Sequence, residues 1–328
     1  MDRRAFLTVA TSLTVSAAVG PRELTMWQGS PLSYAESWLR GLREAHWHGE
    51  SAPAIYRGLL RHAYDIERET AFLADRALQR NLYSVQAQAL CLAGSIAFLD
   101  LGERQRAERH LLAGVRAATR SSDSRLVSWV CAKLAQHRLY DPSGSVTLLH
   151  EALQYCARGE RQARGNPVVI ANVLRMEAEV YAKLGLASPM LRSLERAEDL
   201  LASADQEETP SWHANLTADK LHGMAGACWL RLGDAQRSAE AFQSMQYDNV
   251  EDHAHSVVTV ADTARAYALL GEPEHAVTLL SLVIPTASIT NSLVRRARIR
   301  DARTALAPWR REPFVRELDE QLADAGIA

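Results

Sequence analysis

Aromatic residues are scarce in this chain, with only 5 Phe, 9 Tyr and 7 Trp among 328 residues. Ala, Leu, Arg and Glu dominate instead, a helix-forming composition with little propensity for strands. Cysteine is scarce too. Cys91, Cys131, Cys156 and Cys228 lie 25 to 72 residues apart with no Cys-x-x-Cys pair, which excludes a disulfide frame or a zinc site and suits buried helix positions in a reducing compartment. Charge of one sign is missing as well: 37 basic and 39 acidic residues are mixed throughout, for a net charge of −2. Without a long basic run, direct nucleic-acid binding is not expected.

Catalytic and cofactor signatures are also absent. No Gly-x-Gly-x-x-Gly or Walker-type loop follows a strand-like run, and neither His-Glu-x-x-His nor Gly-x-Ser-x-Gly occurs. His46-Trp47-His48 and His253-Ala254-His255 are spaced i,i+2, which on a helix turns the two rings about 200° apart. Glu177 and Glu179 are separated in the same way. No metal, no cofactor and no paired-acid catalysis is therefore expected.

What is present is a recurring local pattern. Five times a ring-bearing residue sits four before a tight-turn residue: Phe98/Gly102, His137/Asp141, Tyr181/Gly185, Trp229/Gly233 and Tyr267/Gly271. The turns are spaced 39, 44, 48 and 38 residues apart. The residue three before the ring is small in four units (Ser95, Ala178, Gly226, Ala264), with Leu134 the exception. That spacing places it one helical turn from the ring on the same face, where it lets a second helix approach. Five past the turn stand Ala107, Val146, Met190, Ser238 and Ala276, and twelve past it Gly114, Leu153, Ala197, Met245 and Val283. Seven apart and uncharged, these positions predict the buried stripe of a second helix. Regular recurrence at such intervals is the mark of stacked helical hairpins.

The pattern resembles the tetratricopeptide repeat. Tyr-Ala-Leu-Leu-Gly-Glu-Pro-Glu-His-Ala at Tyr267–Ala276 matches best, followed by Phe98–Ala107 and Tyr181–Gly185. The unit at His137 departs most, its turn reading Tyr140-Asp141-Pro142-Ser143-Gly144. The resemblance implies an all-α fold, a right-handed α-solenoid of tetratricopeptide-like helical hairpins over residues 85–284. Such units are about 34 residues long, so the wider intervals here imply longer helices or loops.

Residues 27–84 are helical but off-pattern, and read as a cap or a diverged first hairpin. Residues 285–328 read as capping helices: a basic helix from Ser292 to Ala307, breaks at Pro308 and Pro313, and a short amphipathic helix from Val315 to Leu322. Residues 1–26 form a lead-in. Within it, Arg3-Arg4-Ala5-Phe6-Leu7, the weakly apolar Thr8–Gly20 and Ala18-Val19-Gly20 resemble a twin-arginine export signal. The competing reading is an intracellular lead-in, since an Arg-Arg-x-Phe-Leu segment also resembles the connector of bacterial helix-turn-helix regulators that carry a tetratricopeptide-like sensor.

The resemblance further implies that the first helix of each hairpin lines a concave groove, at positions nine, six and two before the ring and one after it. This selects Arg138, Asn172, Arg175, Glu179, Lys220 and Arg265, beside an apolar stretch from Ala89, Leu92, Ile96 and Leu99. Arginine and asparagine on successive turns can clamp a peptide backbone or a carboxylate. The expectation is a cytoplasmic, non-enzymatic regulator or adaptor that binds a protein, a peptide or a small signal molecule there. Binding would act by shifting the pitch of the array, and any effect on transcription would run through a partner. An exported interaction protein and, further off, an enzyme on a helical-repeat scaffold are the alternatives. A homodimer is an open alternative for its assembly, and membrane insertion is not expected.

Overall fold

The computed structural model describes residues 30–204, 210, 216–245, 256–289 and 292–327. The paired arginines of the lead-in and the His253/His255 pair lie outside these residues. The described chain is all-α and runs as successive hairpins. They are α1 (Pro31–Trp47) with α2 (Ala52–Thr70), α3 (Arg76–Leu99) with α4 (Arg104–Arg120), and α5 (Ser124–Leu139) with α6 (Val146–Gln162). Next come α7 (Pro167–Lys183) with α8 (Ala187–Ala202), α9 (Ala218–Arg231) with α10 (Ala235–Gln243), and α11 (Ser256–Leu270) with α12 (Pro273–Ile289). Finally α13 (Leu293–Ala305) leads through a 3-10 turn at Ala307–Trp309 into α14 (Pro313–Asp324).

Local chemistry sets the helix ends. The side chains of Asp75, Asp123, Asn166, Thr217 and Asp234 cap amide groups in the first turns of α3, α5, α7, α9 and α10. The turns at Gly102, Gly185, Gly233 and Gly271 all have positive φ, between 69° and 85°, the left-handed conformation in which glycine meets no steric penalty. The fifth turn corrects the sequence reading. Its left-handed residue is Gly144 (φ 61°), three residues after Asp141. Counted from Gly144, the buried stripe falls on Leu149 and Cys156, which are 3% and 1% exposed, whereas Val146 is 57% exposed. The buried stripe thus holds in this unit too, displaced by three residues along the chain.

Small residues admit the second helices as expected. A Cβ added at Gly226 would lie 2.7 Å from the Phe242 ring of α10. In α3 the close approach occurs at Gly94, against Leu111 and the Ala107 carbonyl, one residue before Ser95. The pattern's rings are covered by later residues: Arg104 lies over Phe98 at 5.1 Å, Arg237 over Trp229 at 4.6 Å, and His275 stacks on Tyr267 with 4.0 Å between ring centroids.

Successive first helices, from α1 to α13, pack directly on one another, while from α2 to α12 the second helices make no comparable mutual contact among the described residues. The first helices therefore form the inner, concave layer. α3 is long and apolar enough to cross a membrane by length and composition, but it is packed between α2 and α4, with Val85, Ala89, Ala93, Ile96 and Ala97 buried.

Position 84/85 falls inside α3, and 284/285 inside α12, which runs through Pro285. Residues 31–70 form a hairpin around a left-handed Gly49, and its core joins that of α3. At the other end α13 is pinned to α14 by the two-pronged Arg303–Asp319 pair and to the chain end by Arg296 and Arg300, which donate to the Gly326 and Ile327 carbonyls at 2.9 Å.

Candidate functional site

The floor of the concave layer is cationic at its middle. Arg175 on α7 donates from Nε to Asn172 Oδ1 one turn earlier, at 2.9 Å. Lys133 on α5 and Lys220 on α9 flank it on the neighbouring inner helices, both within Coulomb reach of its guanidinium. Burial, and then the charge of Arg175, push the Lys133 amine down to about 8. The same two causes lower Lys220. Burial lowers Arg175 itself, against the opposing pull of Glu179. Like charges gathered in a concavity disfavour their own charged forms, and this site would favour an anion. Trp129, one turn before Lys133, presents its ring 5.9 Å from the amine.

Beside this floor lies a buried ionic network linking the inner helices from α5 to α13, five in all. Tyr140, just past the end of α5, donates its hydroxyl to Glu179 Oε2 of α7 at 2.7 Å. Arg231 at the end of α9 donates from Nη2 to the Tyr140 oxygen at 3.1 Å and lies 3.1 Å from Glu179 Oε2. The guanidiniums of Arg231 and of Arg298 on α13 both face the Tyr140 ring, at 5.5 and 5.9 Å. Arg298 also lies 3.7 Å from Asp262 on α11. Burial raises the Asp262 carboxyl, with Arg298 and Arg231 opposing, and burial together with Glu179 pushes the Tyr140 phenol up to about 12.

The structure gathers five of the six sequence-selected residues along this inner face and sets one apart. Asn172, Arg175 and Lys220 share the cationic floor. Arg265 stands within Coulomb reach of Asp262. Glu179 is 1% exposed and already satisfied by Tyr140 and Arg231, so it ties helices together. Arg138 turns toward the second-helix layer, where it pairs with Glu108 of α4 and, at 2.8 Å, with Glu151 of α6. The rule placing the residue after the ring in the groove fails there because two carboxylates of the outer layer claim the guanidinium. Sequence reasoning passed over Lys133, Tyr140, Arg231, Asp262 and Arg298. One signal was available: the chain has three lysines against 34 arginines, and Lys133, Lys183 and Lys220 sit on α5, α7 and α9.

Elsewhere a pocket of about 320 Å3 opens between α2 and α4, lined by Leu60, Tyr64, Leu90 and Arg116 and bridged by the Arg120–Glu67 pair at 2.7 Å. His46 Nε2 contacts Asp100 Oδ2 at 2.9 Å. Among the described residues no three of His, Cys, Asp and Glu cluster as metal ligands. The four thiols are buried, and burial raises the pKa of each.

By its own geometry the chain is an α-solenoid of tetratricopeptide-like hairpins with a charged inner face. No family model matches it, and no curated protein matches it. Among solved structures it is similar to a candidate kinesin light chain from Podosopora anserina with nearly identical TPR-like repeats, at 19% identity and a TM-score of 0.43, over 62% of this chain and 96% of that chain.

Proposed function

We propose that this protein is a non-enzymatic adaptor or regulator whose concave face takes an acidic segment of a protein or peptide partner. One observation carries the reading: Lys133, Arg175 and Lys220 stand side by side on three successive inner helices, each with its charged form disfavoured. A carboxylate seated among them would relieve that repulsion and accept charge-assisted hydrogen bonds, with Trp129 offering an aromatic wall. A small signal molecule could satisfy the three cations but would leave most of the extended inner face unused. Four unpaired, buried cysteines suit a reducing compartment, and we place the protein in the cytoplasm. An action on transcription would run through the bound partner.

The test is fluorescence anisotropy with labelled hexaglutamate, at several salt concentrations. Arg175→Ala should lose about 1.5–3 kcal/mol of affinity, roughly ten- to a hundred-fold. Its melting temperature should hardly move, because the hydrogen bond lost to Asn172 is offset by relief of the repulsion from Lys133 and Lys220. Equal binding by the wild type and by Arg175→Ala would overturn the assignment of the site, and absence of binding by the wild type would overturn the acidic-ligand reading.

A further inference from the structure

Hairpins of a solenoid ordinarily touch only their neighbours. Here the start of α13 reaches back across the array to the end of α3. Ser292 donates its hydroxyl to the Leu99 carbonyl at 3.5 Å. A Leu293 methyl rests on Gly102, 2.9 Å from where a Cβ would stand. Arg295, 8% exposed, faces the charge of Asp100. A second strand of contact reaches the same helix, because Arg298 lies over the Tyr140 ring at 5.9 Å. We propose that α13 is a latch: its first turn closes the array against the end of α3, and release of that seam opens the concave face to the partner, a regulation that rests on the binding role proposed above.

The contacts divide unequally, and that decides where the array parts. α13 is packed along α11, pairs with Asp262 of that helix, and is pinned to α14 through Arg303. It therefore moves with the carboxy-terminal half. Against the first hairpins its described residues make one hydrogen bond at the outer distance limit, one contact through a half-exposed leucine and one charge attraction between Arg295 and Asp100, in place of an interlocked apolar core. Such a seam is the low-stability end of the structure. It is also joined to the cationic floor through neighbours: Arg175 is in Coulomb reach of Glu179 and Tyr140, and the Tyr140 ring carries Arg298.

The experiment places spin labels at Gln105→Cys on α4 and Glu317→Cys on α14 in the full chain, where the four native thiols are buried, and measures their separation by double electron–electron resonance. The unaltered seam should give a narrow, short distance. Leu293→Asp and Arg295→Glu should each lengthen and broaden it with helix content unchanged, and should tighten hexaglutamate binding roughly threefold or more, since the open form no longer has to be populated from the closed one. Leu293 is 50% exposed, so the first variant keeps the fold even if the second does not. Distances in the folded variants that superimpose on the parent overturn the latch. Longer distances with unchanged peptide affinity overturn its control of binding. If hexaglutamate binds no form, the acidic-ligand reading fails while the distances still decide the latch.

Discussion

Glu179→Ala should be among the most damaging single changes in the inner layer. The carboxylate is 1% exposed and holds both the Tyr140 hydroxyl and Arg231, whose side chain is 15% exposed. Removing it leaves Arg231 partnered only by the Tyr140 oxygen and the more distant Asp262, and strips the phenol of its acceptor. Breaking a buried pair from one side typically costs about 3–5 kcal/mol. The residual exposure of Arg231 and its field from Asp262 favour the lower end, about 3 kcal/mol. The check is urea unfolding followed by far-ultraviolet circular dichroism and by tryptophan fluorescence, because a repeat array can come apart in stages. A double-mutant cycle with Arg231→Met should show coupling of roughly 1–3 kcal/mol, the double variant losing less than the sum of the singles. An unchanged midpoint for Glu179→Ala, or strict additivity in the cycle, would refute the network as a tie between α7 and α9. It would return Glu179 to the pool of groove residues.

Three further outcomes follow from the packing and the titrating groups. Gly226→Ala should cost about 1–3 kcal/mol by overpacking, because its new methyl meets Phe242, itself 1% exposed, at 2.7 Å; Gly233→Ala, with open space around it but φ of 83°, should cost only about 1–2 kcal/mol of backbone strain, and thermal melts compare the two. Trp229→Ala should cost roughly 3–5 kcal/mol, since the ring is 9% exposed beneath Arg237 and its loss leaves a cavity; a melt like the parent's would remove it from the core. The Lys133 amine, lowered from 10.5 to about 8, is protonated in the unfolded chain but neutral in the folded one between those values, so it makes stability rise with pH across that window and exerts its full penalty below it. Lys133→Met should flatten the melting-temperature profile there, and an unchanged slope would contradict the burial.

The hairpin architecture was legible because its determinants are local. A left-handed glycine, a small residue opposite a ring, and an apolar pair seven apart each act within one or two helical turns. Even the displaced turn at Gly144 obeyed the rule once the correct glycine was counted. The site was legible only in part. Asn172, Arg175 and Lys220 were selected by a groove-facing period, because each position on its own helix is set by local spacing. Glu179 and Arg138 were misread because their roles depend on partners 52 and 30 residues away, Arg231 and Glu108, which no periodicity brings together. Tyr140, Asp262 and the seam between Ser292 and Leu99 were passed over for the same reason. Such contacts arise from the curvature of the whole stack, a property no single repeat encodes.

The placement of the three lysines has a practical consequence for mapping what this protein touches. All of them sit on α5, α7 and α9, and none is on a second helix. Apart from the amino terminus, the outer surface therefore presents arginine but no primary amine. An amine-directed cross-linker is blind to neighbours on the convex side. A lysine-linked adduct recovered from cells would report a molecule lying against the first-helix layer, at the Lys133 and Lys220 floor or at the exposed Lys183 at the end of α7.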